Sequence, residues 1–269
     1  MSVKNIDLNK HKIKKYLEKD IRNFFDIVIL DEIDSTNSFL KSNMDNFQNN
    51  TLLIANKQSK GRGRQNKSFL SKDNNGIYFS FLIKEKTDHF DPSLITIAIA
   101  LLVSDTLDSI YCIDTKIKWV NDVYLNNKKI SGILSEAKYN MELKTYDYFI
   151  IGIGINANNE ALPDEIKNLA SSLFIETSMK KNKNFIIAMI ANNFYKYLKQ
   201  TESNRDFLIK SYKNKMLYLG KEIEVINQSK SYSAKLIGIS DKGELEVIDK
   251  SGNIKYLNSG EIRIKKLED

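Results

Sequence analysis

The chain has 269 residues, and 41 lysines and arginines against 34 aspartates and glutamates give it a formal net charge of +7. Apolar residues make up 42% of it, which is enough for a sizeable core, and the length suits one large domain with a small second one. The charge suggests phosphate-bearing partners, while the single Cys112, with His11 and His89 the only histidines, excludes an internal disulfide and a cysteine–histidine zinc site.

The first twenty residues of the chain differ in composition from a signal peptide. They are charged where a signal peptide would be apolar, so we expect a cytoplasmic protein. The longest apolar run, from Leu94 to Val103, is too short to cross a bilayer, and we expect no membrane association.

The first four fifths of the chain alternate between strand and helix patterns. Strands are predicted wherever isoleucine, valine, phenylalanine and tyrosine cluster between turn residues. These runs are 26–32, 51–56, 76–84, 115–120, 128–137 and 146–156. Asp91 and Pro92, a cap and a first-turn proline, begin a helix that runs to about Leu107, and a second helix covers 184–200. The mixture predicts an α/β or α+β domain over residues 1–217.

From Tyr218 onward the texture of the sequence changes. Short alternating strands are separated by turns of the Asn-Gln-Ser, Asp-Lys-Gly and Ser-Gly-Asn type. This pattern predicts a second, all-β domain over residues 218–269, a small β-barrel of the SH3-like kind.

The stretch SKGRGRQNKSF, residues 59–69, gathers positive charge around a flexible backbone. Gly61 and Gly63 allow successive N–H groups to face one point, and arginines and lysines surround that point. Such a loop suits an anion, although a solvated turn would have the same composition.

The stretch IGIGINA, residues 151–157, raises a dinucleotide-binding alternative because it matches G-x-G-x-x-A. That fingerprint needs a helix to open at once, yet asparagines and Pro163 follow. We therefore disfavour it.

Two further stretches carry chemistry-bearing side chains. In residues 118–134, lysines, an Asp and an Asn lie near predicted strand ends, and Gly132 inside the last strand permits close approach by another group. In residues 31–43, Ser35, Thr36 and Asn37 follow a strand, where one of them should cap a helix.

Taken together and in this order, these stretches resemble the catalytic core of the biotin protein ligase family. The matching motifs are DSTN (34–37), QSKGRGRQNKSF (58–69), KWVND (118–122), KKISGIL (128–134), GIGIN (152–156) and ASSL (170–173). The resemblance implies the mixed-sheet core of the biotin/lipoate ligase type, followed by the small C-terminal barrel. It also implies an ATP-dependent ligase that converts biotin to biotinyl-5′-AMP and transfers it to a lysine of a biotin carboxyl carrier protein, in acetyl-CoA carboxylase or a related carboxylase.

The resemblance assigns each site residue a role. The implied biotin-binding residues are Ser35, Thr36, Asn37, Gln58, Gly61, Arg62, Lys129 and Gly132. The implied nucleotide-binding residues are Arg64, Lys67, Phe69, Lys118, Asn121 and Asn156. Lys129, Arg64 and Asp122 would be catalytic, with Asp122 orienting or deprotonating the acceptor lysine, and ATP and Mg²⁺ would be required.

The sequence departs from the usual family pattern at three positions. Lys67 and Phe69 stand where relatives usually have Arg and Trp, and Val120 replaces a proline. About thirty residues precede the DSTN motif, too few for a winged helix-turn-helix, so we expect no specific DNA binding. A lipoate-type ligase and a non-enzymatic nucleic-acid-binding protein are the alternatives, and a monomer or homodimer is expected.

Overall fold

The structure is a computed structural model that describes residues 8–65, 67–71, 74–84, 92–199, 205–227, 230–258 and 262–266. Its helices are α1 (Lys10–Tyr16), α2 (Thr36–Ser42), α3 (Pro92–Tyr111), α4 (Leu173–Thr177), α5 (Lys183–Lys199) and α6 (Arg205–Lys215). The strands of its first part are β1 (Asp26–Ile33), β2 (Thr51–Gln58), β3 (Ile77–Ile83), β4 (Lys116–Lys118), β5 (Asp122–Leu125), β6 (Lys128–Asn140) and β7 (Thr145–Ile155).

These seven strands form one mixed sheet in the order β1-β2-β3-β7-β6-β5-β4. Only the β1–β2 pair is parallel, and the other neighbours are antiparallel. The predicted α+β fold is confirmed, and most predicted strands match to within a few residues. The predicted strand 115–120 is too long, because residues 119–121 turn the chain back into β5, which the sequence pattern missed.

The two faces of the sheet bury different cores. Along β2, Leu52 and Ile54 point into the large core with α1, α3 and α5, whereas Leu53 packs with Leu40 of α2 on the opposite face. This alternation follows the two-residue period of a strand. The α2 face buries only a small apolar cluster, which leaves room beside it for polar side chains.

Helix α3 is four residues longer than its predicted end at Leu107. Length and composition alone would let Leu94–Tyr111 cross a membrane, but 67% of this stretch is buried inside the protein. The helix is accordingly the central core helix against the sheet. Asp91, its predicted cap, lies outside the described residues.

The C-terminal part forms a second sheet. Its strands are β8 (Glu222–Asn227), β9 (Lys230–Ile239), β10 (Leu245–Asp249), β11 (Ile254–Leu257) and β12 (Ile262–Lys266). They pair antiparallel in the order β11-β10-β9-β8-β12, as the alternating pattern predicted. Buried residues of both sheets belong to one continuous hydrophobic core. The domain boundary at 217/218 stays a prediction.

Candidate active site

A row of facing residues crosses five strands on the α2 face of the large sheet. Tyr78 lies opposite Gly154, Gly154 opposite Gly132, Gly132 opposite Asp122, and Asp122 opposite Lys118. Directly opposite residues in antiparallel strands share a face and lie close together. Strand register therefore brings together motifs that are far apart in the sequence.

The two glycines of β7 leave space on this face for two side chains. A Cβ atom on Gly152 would lie 2.2 Å from Asn37 Oδ1, and one on Gly154 would lie 2.7 Å from the ring of Phe69. The glycines therefore permit these side chains to approach the strand closely, which is a common reason for a glycine inside a strand. The dinucleotide-binding alternative is wrong here, because β7 runs antiparallel between β3 and β6 and the next helix begins only at Leu173.

A cleft opens over this row, and all but two of the predicted site residues line it. The predicted residues that line the cleft are Ser35, Thr36, Asn37, Gln58, Arg62, Arg64, Lys67, Phe69, Lys118, Asn121, Asp122, Lys129 and Gly132. The predicted site residues are thus gathered in one place, although the roles assigned to them stay predictions.

One end of the cleft is a buried network of neutral hydrogen-bonding groups. Gln58 Oε1 accepts from the backbone N–H of Thr36 at 2.8 Å, and Gln58 Nε2 donates to Ser71 Oγ at 3.1 Å. Ser80 Oγ lies 2.6 Å from Thr36 Oγ1, within hydrogen-bond distance. Ser35 occupies the N-cap position of α2, yet its side chain makes no capping bond and lines the cleft instead. This end offers donors and acceptors without a net charge.

Asn37 is held by the protein on both ends of its amide. Its Oδ1 accepts from Ser80 Oγ at 2.6 Å, and its Nδ2 donates to Leu134 O at 3.1 Å and to Glu136 Oε2 at 2.9 Å. Glu136 also binds Arg62, whose Nη1 lies 3.3 Å from its Oε1. Asn37 therefore shapes the neutral end, and Glu136 anchors the glycine loop beside it.

The other end of the cleft is cationic. Lys129 Nζ lies 2.7 Å from Asp122 Oδ1, and Arg64 Nη1 donates to Asn121 Oδ1 at 3.3 Å. The ammonium of Lys129 also lies 5.8 Å from the centroid of the Phe69 ring, within cation–π range. Among the described residues that line this end, lysines and arginines outnumber the carboxylate of Asp122, so it suits an anionic ligand.

Burial disfavours two of these charges. It lowers the pKa of Lys118, and Lys67, Lys129 and Lys265 lower it further, against the opposing effect of Asp122. Burial likewise lowers the pKa of Arg64, which Asp122 partly offsets. A polyanion entering the cleft would relieve this mutual repulsion between cations.

Gly61 and Asn156 do not line the cleft. A Cβ on Gly61 would lie 2.3 Å from the Phe69 carbonyl oxygen, because the loop folds back so that Phe69 N donates to Gly61 O at 2.8 Å. Asn156 is buried and donates from Nδ2 to Ser171 O at 2.9 Å. In this structure Gly61 builds the loop, and Asn156 holds the segment beside Lys129; their predicted ligand contacts stay predictions.

Comparison with known proteins agrees with this arrangement. The model of the biotin/lipoate A/B protein ligase family matches residues 29–156, and that of the biotin protein ligase C terminal domain matches residues 218–264. The biotin protein ligase of Aquifex aeolicus, solved with biotin and ATP, is 34% identical at a TM-score of 0.78, over 90% of this chain and 99% of that one. The chain belongs to the biotin protein ligase family.

Another relative of the family is longer than this chain. The bifunctional ligase/repressor BirA of Bacillus spizizenii is 31% identical over 220 residues, which is 80% of this chain and 66% of that protein. The biotin–[acetyl-CoA-carboxylase] ligase of Mycobacterium tuberculosis is 22% identical over 78% of this chain. Family membership overrides the alternative of a non-enzymatic nucleic-acid-binding protein.

Sequence reasoning missed several residues of this biotin protein ligase cleft. None of the family motifs quoted above contains Ser71, Ser80 or Glu136. Only their hydrogen bonds to Gln58, Thr36 and Asn37 place them at the site. Gly152 could have been found, because two glycines two residues apart lie on the same face of a strand and open space there. From the sequence, this glycine was instead considered as part of the dinucleotide-binding pattern. Ile264, from β12, also lines the cleft.

Proposed function

We propose that this chain activates biotin with ATP and transfers it to a lysine of a biotin carboxyl carrier protein. One observation carries the proposal: a single cleft joins a neutral hydrogen-bonding end to a cationic end that contains Lys129. The ureido ring of biotin is neutral and bears N–H donors and a carbonyl acceptor. Its carboxylate and the phosphates of ATP are anions. The two ends match the two kinds of group.

The neutral end would take the ureido ring. Ser35 offers a hydroxyl that does not cap its helix, and Thr36 and Gln58 are already oriented by the bonds through Ser80 and Ser71. Gly132 allows Lys129 to lie close against the strand, since a Cβ there would lie 3.0 Å from Lys129 Nζ. The aliphatic tail would pass over this glycine and bring the carboxylate to Lys129.

The cationic end would hold ATP during the first step. A biotin carboxylate oxygen attacks the α-phosphorus, the bond to the bridging oxygen breaks, and pyrophosphate leaves with that electron pair. Negative charge grows on oxygens that Lys129, Arg64 and Lys118 face, and fixed cations stabilise it more in the transition state than in the ground state. Phe69 would offer a ring face to the adenine.

In the second step the acceptor amine attacks the carbonyl carbon of the mixed anhydride. The new C–N bond forms, AMP leaves with the C–O electron pair, and the amine must lose a proton. Asp122 would orient the acceptor amine or accept its proton, and the ion pair with the ammonium of Lys129 at 2.7 Å supports this because it shows the carboxylate binding an amine group.

A Mg²⁺ ion in this cleft would have few protein ligands. Among the described residues no group of three histidine, cysteine, aspartate or glutamate side chains could hold a metal ion. Mg²⁺ usually binds through one or two carboxylates together with substrate phosphates and water. Among the described residues that line the cationic end, Asp122 is the carboxylate, and the ion would supply charge neutralisation on the phosphates there.

The deciding experiment detects the intermediate. The chain is incubated with biotin, ATP and Mg²⁺, and biotinyl-AMP is measured by mass spectrometry, with lipoate replacing biotin in a parallel reaction. A biotin carboxyl carrier domain is then added, and its lysine is checked for the added mass. Formation of lipoyl-AMP alone, or of no adenylate at all, would contradict the proposal.

The setting of the reaction is also part of the proposal. We expect a cytoplasmic enzyme without membrane association, acting as a monomer or homodimer. The carrier of acetyl-CoA carboxylase, or that of a related carboxylase, is the expected acceptor.

A further inference from the structure

The turn between β4 and β5 is held at each of its residues by a different part of the fold. Trp119 Nε1 donates to Gly243 O, in the turn between β9 and β10 of the second sheet, at 3.1 Å. Asn121 Nδ2 donates to Ile133 O of β6 at 2.7 Å. Between them, the carbonyl of Val120 accepts a hydrogen bond at 3.1 Å from the hydroxyl of Tyr212 on α6.

This turn carries the cationic end of the cleft. Lys118 and Asp122 flank it and face each other across the β4–β5 pair, and Asn121 holds Arg64. A shift of the turn would therefore move several groups that face the nucleotide. The neutral end depends on α2, β2 and β3 instead, and none of its described hydrogen bonds reaches the turn.

Tyr212 lies beneath this end rather than in it. Its side chain is fully buried, so it is out of reach of a ligand in the cleft. Burial and the nearby Asp122 raise the pKa of its hydroxyl well above the ordinary value, against the opposing effect of Arg64. The hydroxyl therefore keeps its proton and stays a donor to Val120, close to the two charged residues.

We propose that Tyr212 is a positioning residue for the nucleotide end, acting through the carbonyl of Val120 on the turn that aims Lys118, Asn121 and Asp122. This inference rests on the proposed function. It assigns to α6 a part in the reaction that its largely polar sequence does not reveal.

The variant Tyr212→Phe removes the hydroxyl and keeps the ring. The Val120 carbonyl then loses its partner, the turn gains freedom, and the cations of the nucleotide end lose their fixed aim. We expect the KM for ATP in adenylate formation to rise about tenfold, while the affinity for biotin without ATP stays within about twofold of wild type. A purely structural role would not separate the two substrates.

Tyr111→Phe is the matched control. Tyr111 of α3 is also fully buried, and its hydroxyl has no hydrogen-bond partner among the residues that the structure describes. This variant loses the same atom from a similar environment and should leave both substrate constants unchanged. Thermal unfolding of both variants checks that each is folded at the assay temperature.

Biotinyl-AMP formation by the wild type is measured first, at varied ATP with saturating biotin. Absence of the adenylate in the wild type would overturn the proposed function, and this inference with it. An active wild type whose Tyr212→Phe variant has an unchanged KM for ATP would overturn this inference alone. Equal losses for ATP and biotin, or equal losses in Tyr111→Phe, would also overturn it.

A double variant adds a second test. In a Lys118→Met background, Tyr212→Phe should raise the KM for ATP by clearly less than it does alone, because one of the groups that it positions is already gone. Full additivity of the two changes would contradict an action of Tyr212 through this turn.

Discussion

Lys129 is the residue whose surroundings commit it most clearly to one role. It belongs to the cationic end of the cleft, pairs with Asp122 at 2.7 Å, and lies close against the strand at Gly132, where a Cβ would come within 3.0 Å of its Nζ. Its ammonium would meet the biotin carboxylate and the α-phosphate at the point where they join. We therefore expect it to contribute to the chemical step more than to folding.

Lys129→Ala should reduce the rate of adenylate formation by about 10²–10³-fold, the usual cost of removing one group that stabilises transition-state charge. The measurement is pyrophosphate release with saturating biotin and ATP. Lys138→Ala is the matched control, because Lys138 lies farther along the same strand and pairs with Asp147 at 3.3 Å. Near-normal release from folded Lys129→Ala protein would refute the assigned role.

Lys118 gives the cationic end a pH dependence. Burial lowers its pKa from the ordinary lysine value, with neighbouring lysines adding to the effect. A lysine carries its charge below its pKa, so lowering the pKa moves the loss of charge to a lower pH. If this charge binds the triphosphate, the KM for ATP should rise as the pH increases, and the rise should begin at a lower pH than it would with a lysine of ordinary pKa.

Lys118→Arg separates this charge from the other titrating groups, because arginine stays charged throughout the accessible range. We expect the rise in KM for ATP to move to higher pH in this variant, with little change near pH 7. Steady-state kinetics over a pH series would record it. Coincident profiles for wild type and variant would show that Lys118 is not the titrating group.

At the scale of elements, β7 supplies the floor of both ends of the cleft through glycines two residues apart. Gly152 lies under Asn37, whose amide is fixed by bonds to Ser80, Leu134 and Glu136. Gly154 lies under the ring of Phe69. A methyl group at each position should therefore disturb a different substrate.

Gly152→Ala should raise the KM for biotin, and Gly154→Ala should raise the KM for ATP. Each should also lower the free energy of unfolding by about 1–3 kcal/mol, the common cost of overpacking. Each variant is the control of the other, since strand and substitution are the same. Denaturant unfolding and both substrate constants are measured together, and a loss confined to the same substrate in both variants would contradict the assignment of the two ends.

Most of the elements could be predicted from the sequence, because buried strands such as 51–58 and 145–155 are long apolar runs. The four-residue strand β5 could not, since Asp122 and a tight turn interrupt its pattern. The polar helix α6 was missed for a similar reason, because only Ile209 and Tyr212 of it are buried. The site residues were predicted from the family resemblance. The row from Tyr78 to Lys118 could not be predicted, because it depends on the register between strands that are distant in the sequence.

For the whole molecule, the second sheet is attached to the first part next to the cleft. Trp119 Nε1 donates to Gly243 O at 3.1 Å, Lys213 Nζ lies 3.5 Å from Glu246 Oε2, and Ile264 lines the cleft itself. The second sheet therefore supports the cationic end of the cleft instead of standing apart from it. The prediction of a separate small domain describes its strand pattern but not this attachment.

The net charge of +7 also raises the question of DNA at the scale of the whole molecule, since one relative is a bifunctional ligase/repressor. The cations described at the site face a cleft with a neutral far end, which suits a small ligand better than a duplex. We expect this 269-residue chain to bind duplex DNA only without sequence preference, with or without biotin and ATP. Such binding depends on phosphate contacts alone, so it should weaken steeply as salt rises toward about 200 mM. Footprinting over a library of duplexes at low and physiological salt measures both properties, and a protected sequence that persists at physiological salt would refute the expectation.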